Sequence, residues 1–201
     1  MRCDLCVDKG CNGGEPCTVR NSIELYADPQ EKMMTQAAAS VESEFYGDLN
    51  RIEEVVEFAS RMGYKRLGLA FCVGLHEEAA KIAEYLSAFF EIEAVCCKVC
   101  GIPKSDMGAP TSDKVGPVSC NPIEQARMLE EKKTDLNLVV GLCVGHDALF
   151  IRHSHTYVVP LAVKDRVLGH NPLAAVYCSA VRNRMKKRAE LRGIKKTDNP
   201  K

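Results

Sequence analysis

Three short apolar runs, at residues 66–71 (RLGLAF), 92–99 and 137–142, are each followed at once by a cysteine: Cys72, Cys100 and Cys143. Short apolar runs bounded by turn signals read as strands buried on both faces, as in parallel sheets. A helical stretch, 75–90, separates the first two, and another, 122–133, precedes the third, so strands and helices alternate as in βαβ units. Residues 156–163 (TYVVPLAV) offer a fourth strand, with Pro160 placing it at an edge or an irregularity. The expected fold is α/β: a three-layer α/β/α, Rossmann-like domain with a mostly parallel sheet of about four strands. Residues 67–78 (LGLAFCVGLHEE) and 138–147 (LVVGLCVGHD) resemble each other, each running from an apolar strand through Cys-Val-Gly to a histidine and an acidic residue. Both cysteines are therefore expected where a strand ends and a helix begins.

Further helices are expected over 29–45, with Asp28 as cap and Pro29 at the first position, and over 49–62, with Asp48 as cap and Gly63 as stop. The second has one apolar stripe of Ile52, Val55, Val56 and Ala59. A long final helix is expected from Asn171 and Pro172.

The first twenty residues cannot build an apolar core, because they hold Cys3, Cys6, Cys11 and Cys17 with three glycines and a proline. The C-x2-C-x4-C-x5-C spacing suits four thiolates converging on one zinc ion or on an iron-sulfur cluster, whose binding would supply the folding free energy. The expected organisation is a metal knuckle at 1–20 and an α/β domain at 21–201 that carries the basic C-terminal helix and tail.

A second set, Cys72, Cys100, Cys120 and Cys143, is dispersed in sequence, but in an open α/β sheet the strand ends face one edge, where ligand crevices form. Cys120 stands before Asn121-Pro122 at a helix start. Helix N-termini at Cys72, Cys120 and Cys143 favour thiolates, which are metal ligands and nucleophiles. These four are the candidate ligands of a second metal or iron-sulfur centre. Cys96 and Cys97 fall within the second expected strand and Cys178 within the last helix, so packing is expected of them. His76 and His146 follow strand-end cysteines as candidate ligands or proton carriers. The stretch from Lys164 to Pro172 (KDRVLGHNP) should open onto the same edge, with Lys164 and Arg166 able to offset thiolate charge or bind an anion, and with Asp165 and His170 able to move protons. Cys143, His146, Asp165, Arg166 and His170 are the candidate catalytic residues.

Eleven cysteines in 201 residues, an odd count, with an N-terminus lacking a signal-peptide core, predict a cytoplasmic chain whose thiols bind metal or react. The longest apolar and glycine run, 67–75, is too short to span a membrane. Net charge is zero overall, but residues 182–201 carry nine Lys or Arg against Glu190 and Asp198. No aromatic residue interleaves them for base stacking, so nucleic acid is not the expected partner. No P-loop, G-x-G-x-x-G, H-E-x-x-H or G-x-S-x-G appears, and Leu149 stands where a C-x5-R phosphatase counted from Cys143 needs arginine.

The N-terminal cysteine array, with the runs GLCVGHDALF and AVKDRVLGHNPLAA, resembles a family of uncharacterised, cysteine-rich prokaryotic proteins described as metal-binding, over nearly the whole chain. The resemblance implies metal binding without a reaction and supports Cys3, Cys6, Cys11 and Cys17 as ligands. It also points to Cys143, Gly145, His146 and Asp147, and to Lys164, Asp165, Arg166, Gly169, His170 and Asn171. Expected partners are a small molecule or a redox protein. Two other classes fit the same residues: a zinc-stabilised module binding nucleic acid or protein, and a cysteine-nucleophile enzyme of acyl or sulfur transfer.

Overall fold

The computed structural model describes residues 2–15, 17–18 and 22–194. Strands β1 (Arg66–Phe71), β2 (Glu91–Cys96), β3 (Leu136–Val140) and β4 (Val158–Ala162) form one sheet in the order β2-β1-β3-β4, and every pair is parallel. The all-parallel, four-stranded sheet follows from the alternation read in the sequence. β1 and β3 lie in the middle, and every residue of β3 is buried. Pro160 sits in the edge strand, where the register with β3 slips between Val139 and Val140, so its missing N–H interrupts only a ladder that is already irregular.

The helices are α1 (Pro29–Phe45), α2 (Arg51–Arg61), α3 (His76–Leu86), α4 (Pro122–Glu131), α5 (His146–His153), α6 (Ala174–Tyr177) and α7 (Ser179–Leu191). Asp28 caps α1, its Oδ1 accepting from the N–H groups of Gln30 at 2.8 Å and Glu31 at 3.0 Å. The cap of α2 is Asn50 rather than the expected Asp48, because Asn50 and Glu53 satisfy each other's backbone N–H groups in a capping box. The expected long final helix is broken at Cys178, whose extended backbone (φ −93°, ψ 113°) ends α6 and begins α7. Cys178 is thus an exposed hinge point and not a residue packed inside a helix.

Two apolar clusters use alternate residues of the strands, as the period of two requires. Leu67, Leu69 and Phe71 of β1 join Leu136, Leu138 and Val140 of β3, Val55 and Ala59 of α2, and Leu75, Ala79 and Leu86 from α3 and its entry. Ala70, Val139, Ala126, Leu129 and Phe150 form the other, together with Cys72 and Cys97.

The chain divides into two compact units, residues 1–46 and 47–201. The first holds the four N-terminal cysteines, 3₁₀ turns at Cys3–Leu5, Gly10–Gly13 and Ser22–Tyr26, and α1. None of its described residues before Ala37 is buried, consistent with a composition that supplies no core. The second unit holds the sheet. Of the basic tail, residues 195–201 lie outside the described residues. Among the described residues no helix is long and apolar enough to cross a membrane.

Candidate functional site

The chain runs outward from β1 to β2 and then returns past β1 to β3, so the crossovers diverge at the carboxyl ends of β1 and β3. At such a point loops part and leave a crevice. Cys72 leaves β1 at that point, and Cys143 lies just beyond β3. β2 ends at Cys96, earlier than the sequence suggested, so Cys97 already lies on the edge. Its N–H donates to the Phe71 carbonyl at 2.8 Å, and its own carbonyl accepts from the Asn121 N–H at 2.8 Å, which brings Cys120 alongside. From α4 the buried Gln125 donates through Nε2 to the carbonyls of Phe71 at 3.2 Å and Val95 at 2.7 Å, tying the ends of β1 and β2 together.

The result is a row of three sulfurs: Cys72, Cys97 and Cys120. Cys97 and Cys120 Sγ lie 3.7 Å apart, and Cys97 also hydrogen-bonds Cys72. The central thiol keeps its proton because of its hydrogen bonds with Cys120 and Cys72, since ionising it would put a third negative charge between them in a buried place. The flanking thiols move the other way. Cys72 is brought down to about 4 by the hydrogen bond from Cys97, against the cost of burial, with Lys164 and the Gly74 N–H adding to the effect. Cys120 is brought down to about 5 by its hydrogen bond with Cys97, again against burial, with Lys98 and His146 contributing.

Each flanking sulfur has its own cation. Lys98 Nζ lies 3.4 Å from Cys120 Sγ and donates to the Val118 carbonyl at 2.7 Å, so it also anchors the end of the long loop between β2 and α4. Lys164 hydrogen-bonds Cys72 across the glycines of the two strand-end turns. At Gly141 (φ +61°) a Cβ would stand 2.1 Å from Leu75 Cδ1 and 3.5 Å from Lys164 Cε, so only glycine fits both the backbone and the space. Cys143 is met by a third cation, Arg166, whose Nη2 donates to its Sγ at 3.3 Å. The guanidinium is held above its usual range by that bond first, with Cys72 and Cys120 adding to it.

The loop that carries Arg166 is braced by its own side chains. Asp165 Oδ1 accepts from the N–H groups of Val167 at 2.9 Å and Leu168 at 3.0 Å, and His170 Nδ1 accepts from the Asp165 N–H at 3.1 Å. Asp165 and His170, candidates for proton transfer, thus hold the loop in shape. His146 begins α5, its N–H bonded to the Cys143 carbonyl, and its ring lies in electrostatic range of Cys120. Asp147 Oδ1 accepts from Gly145 and Ala148 N–H and shapes the turn after Cys143. His76 rests its ring 5.8 Å from that of Phe71.

Of the four dispersed cysteines expected together, Cys72 and Cys120 join one cluster, Cys143 pairs with Arg166, and Cys100 stands elsewhere. Cys100 is exposed, sits at φ +65° in a turn, and acts electrostatically on Arg127 of α4. Cys97 takes the strand-end place assigned to it. Lys98 was the available signal, since a lysine inside a run read as a buried strand marks the strand's end. In the N-terminal unit Cys3, Cys6, Cys11 and Cys17 are all exposed, and Cys11 and Cys17 Sγ lie 3.8 Å apart. There the thiol of Cys11 is lowered by hydrogen bonds with Cys17, and that of Cys17 is raised by the same contact. Among the described residues no three Cys, His, Asp or Glu side chains stand as a ready metal-binding group, in the N-terminal unit or at the sheet edge.

A protein of Methanocaldococcus jannaschii, "Uncharacterized protein MJ0455", is 42% identical over 181 residues, covering 88% of this chain and 94% of its own length. No solved structure matches the chain. A family described as "Protein of unknown function (DUF1847)" matches residues 12–161, a span that contains the row of three sulfurs, Cys143 and Cys17. With that span, and with the relative aligned over most of both chains, the protein belongs to the DUF1847 family.

Proposed function

We propose that the protein is a thiolate metalloprotein whose working centre lies at the carboxyl edge of the sheet, with Cys72, Cys97 and Cys120 as the ligands of a zinc ion or an iron-sulfur cluster. The observation that carries this is the approach of Cys97 Sγ to Cys120 Sγ at 3.7 Å, with Cys72 hydrogen-bonded to the same thiol, at the switch point of a parallel sheet. Thiolates are what soft metals take, and these three would hold such a metal once Cys97 gives up its proton and the side chains close on the ion. Lys98 and Lys164 then serve the ligands from outside, lowering the cost of gathering negative sulfur in a largely buried place. When bound, the group would supply Lewis acidity or electron transfer, depending on its identity. The two alternate-residue clusters support a three-layer, Rossmann-like reading of the domain, which puts this edge where such folds hold ligands. The N-terminal cysteines are a separate zinc or cluster site on this reading, supported by their spacing and by the approach of Cys11 to Cys17.

The test is anaerobic purification followed by counting zinc, iron and acid-labile sulfide per chain. The expected result is that Cys97→Ser loses the metal of one site while Cys100→Ser retains it. Equal metal in both variants and the wild type would remove the sheet-edge centre.

A further inference from the structure

We propose that the Cys143–Arg166 side of the sheet edge is a binding subsite for a small carboxylate, held by the Arg166 guanidinium with its reactive carbon at Cys143 Sγ. The inference deepens the metal-centre reading, on which it rests, by naming the class of molecule the centre takes. Lys164 is engaged by Cys72, and Lys98 is engaged by Cys120 and the Val118 carbonyl. Arg166 is exposed and spends on Cys143 one of five N–H groups arranged as a planar fork. That fork matches a carboxylate in two parallel bonds. Asp165 and His170 stiffen the loop behind it, so the guanidinium is presented and not merely tethered. Cys143 is half-buried and follows β3 at the switch point, with Arg166 as its hydrogen-bond partner. A single exposed guanidinium supplies one positive charge, which balances a monocarboxylate and leaves a phosphate dianion half-neutralised.

Alkylation reads this subsite directly, because iodoacetate is itself a small carboxylate and iodoacetamide its neutral analogue. In either reaction the Cys143 thiolate attacks the methylene carbon, a C–S bond forms, the C–I bond breaks and iodide leaves. The full-length reduced protein is treated with each reagent, and modification of Cys143 is followed by peptide mass spectrometry. The ratio of the two rates cancels whatever acts equally on both reactions at this sulfur. We expect iodoacetate to be the faster reagent at Cys143 by about tenfold, the size of one charge-assisted hydrogen bond. Its rate should saturate, and acetate should compete. Arg166→Gln should reverse the preference, and Arg166→Lys, which keeps the charge but loses the fork, should retain part of it; circular dichroism confirms that both variants fold. A wild-type preference for iodoacetamide, a ratio unchanged in Arg166→Gln, or no reaction of Cys143 with either reagent would overturn the subsite. Competition by inorganic phosphate at lower concentration than acetate would overturn the carboxylate assignment. The two readings fail separately: a charge preference at Cys143 with no metal lost in Cys97→Ser removes only the metal centre, and the reverse removes only the subsite.

Discussion

Cys97 governs the sulfur row by keeping its proton. In the metal-free, reduced protein Cys72 and Cys120 should both be thiolates at neutral pH, with folded values of about 4 and about 5. Cys97→Ala removes the hydrogen bond that contributes most to each shift, so both should titrate higher. Thiolate ultraviolet absorbance followed against pH checks this, and a titration curve unchanged in Cys97→Ala would refute it. At Gly141 the demand is steric. Gly141→Ala must both hold φ +61° and displace Leu75 from a Cβ position 2.1 Å away, a combination expected to cost about 1–3 kcal/mol in urea unfolding.

At the scale of elements, the helix ends do local work and α4 does work at a distance. Asn50→Ala breaks the capping box of α2 and should lower stability by about 1 kcal/mol, read from the urea midpoint, whereas replacing Asp48, which does not cap the helix, should leave it unchanged. Gln125 reaches from α4 to carbonyls at the ends of β1 and β2. Gln125→Leu leaves the Val95 carbonyl without that donor, at an expected cost of about 1–3 kcal/mol. Because those strand ends carry Cys72 and Cys97, the same variant should also weaken metal retention, measured by the chelator concentration needed to strip the protein. A loss of stability with metal retention untouched would separate Gln125 from the site.

For the whole molecule, the three sulfurs set a pH dependence of folding in the metal-free, reduced state. Unfolded thiols titrate at about 8.5. Cys72 and Cys120 have lowered folded values, so their contribution is full above the unfolded value and is lost as pH falls toward 5 and then 4. Cys97 is raised, so its contribution is full below the unfolded value and declines as pH rises beyond it. Urea midpoints should therefore climb from about pH 5 to about pH 8 and fall again above about pH 9. Midpoints that are flat across the lower range would mean that Cys72 and Cys120 are not ionised in the fold.

The sequence by itself determined the alternation of strands and helices, the parallel sheet, the edge position of the strand holding Pro160, and the delivery of cysteines to strand ends. These are local properties, set by hydrophobic period, turn residues and the missing N–H of proline. Only the tertiary structure decided which sulfurs meet. Cys97 and not Cys100 reaches the edge because β2 stops at Cys96, and Cys120 joins it because a long loop returns its backbone to the Cys97 carbonyl. The pairing of Arg166 with Cys143 depends likewise on the loop after β4 folding back over the end of β3. Contacts between residues more than twenty positions apart depend on where each strand stops and how its loop returns, and no local pattern in the chain encodes either.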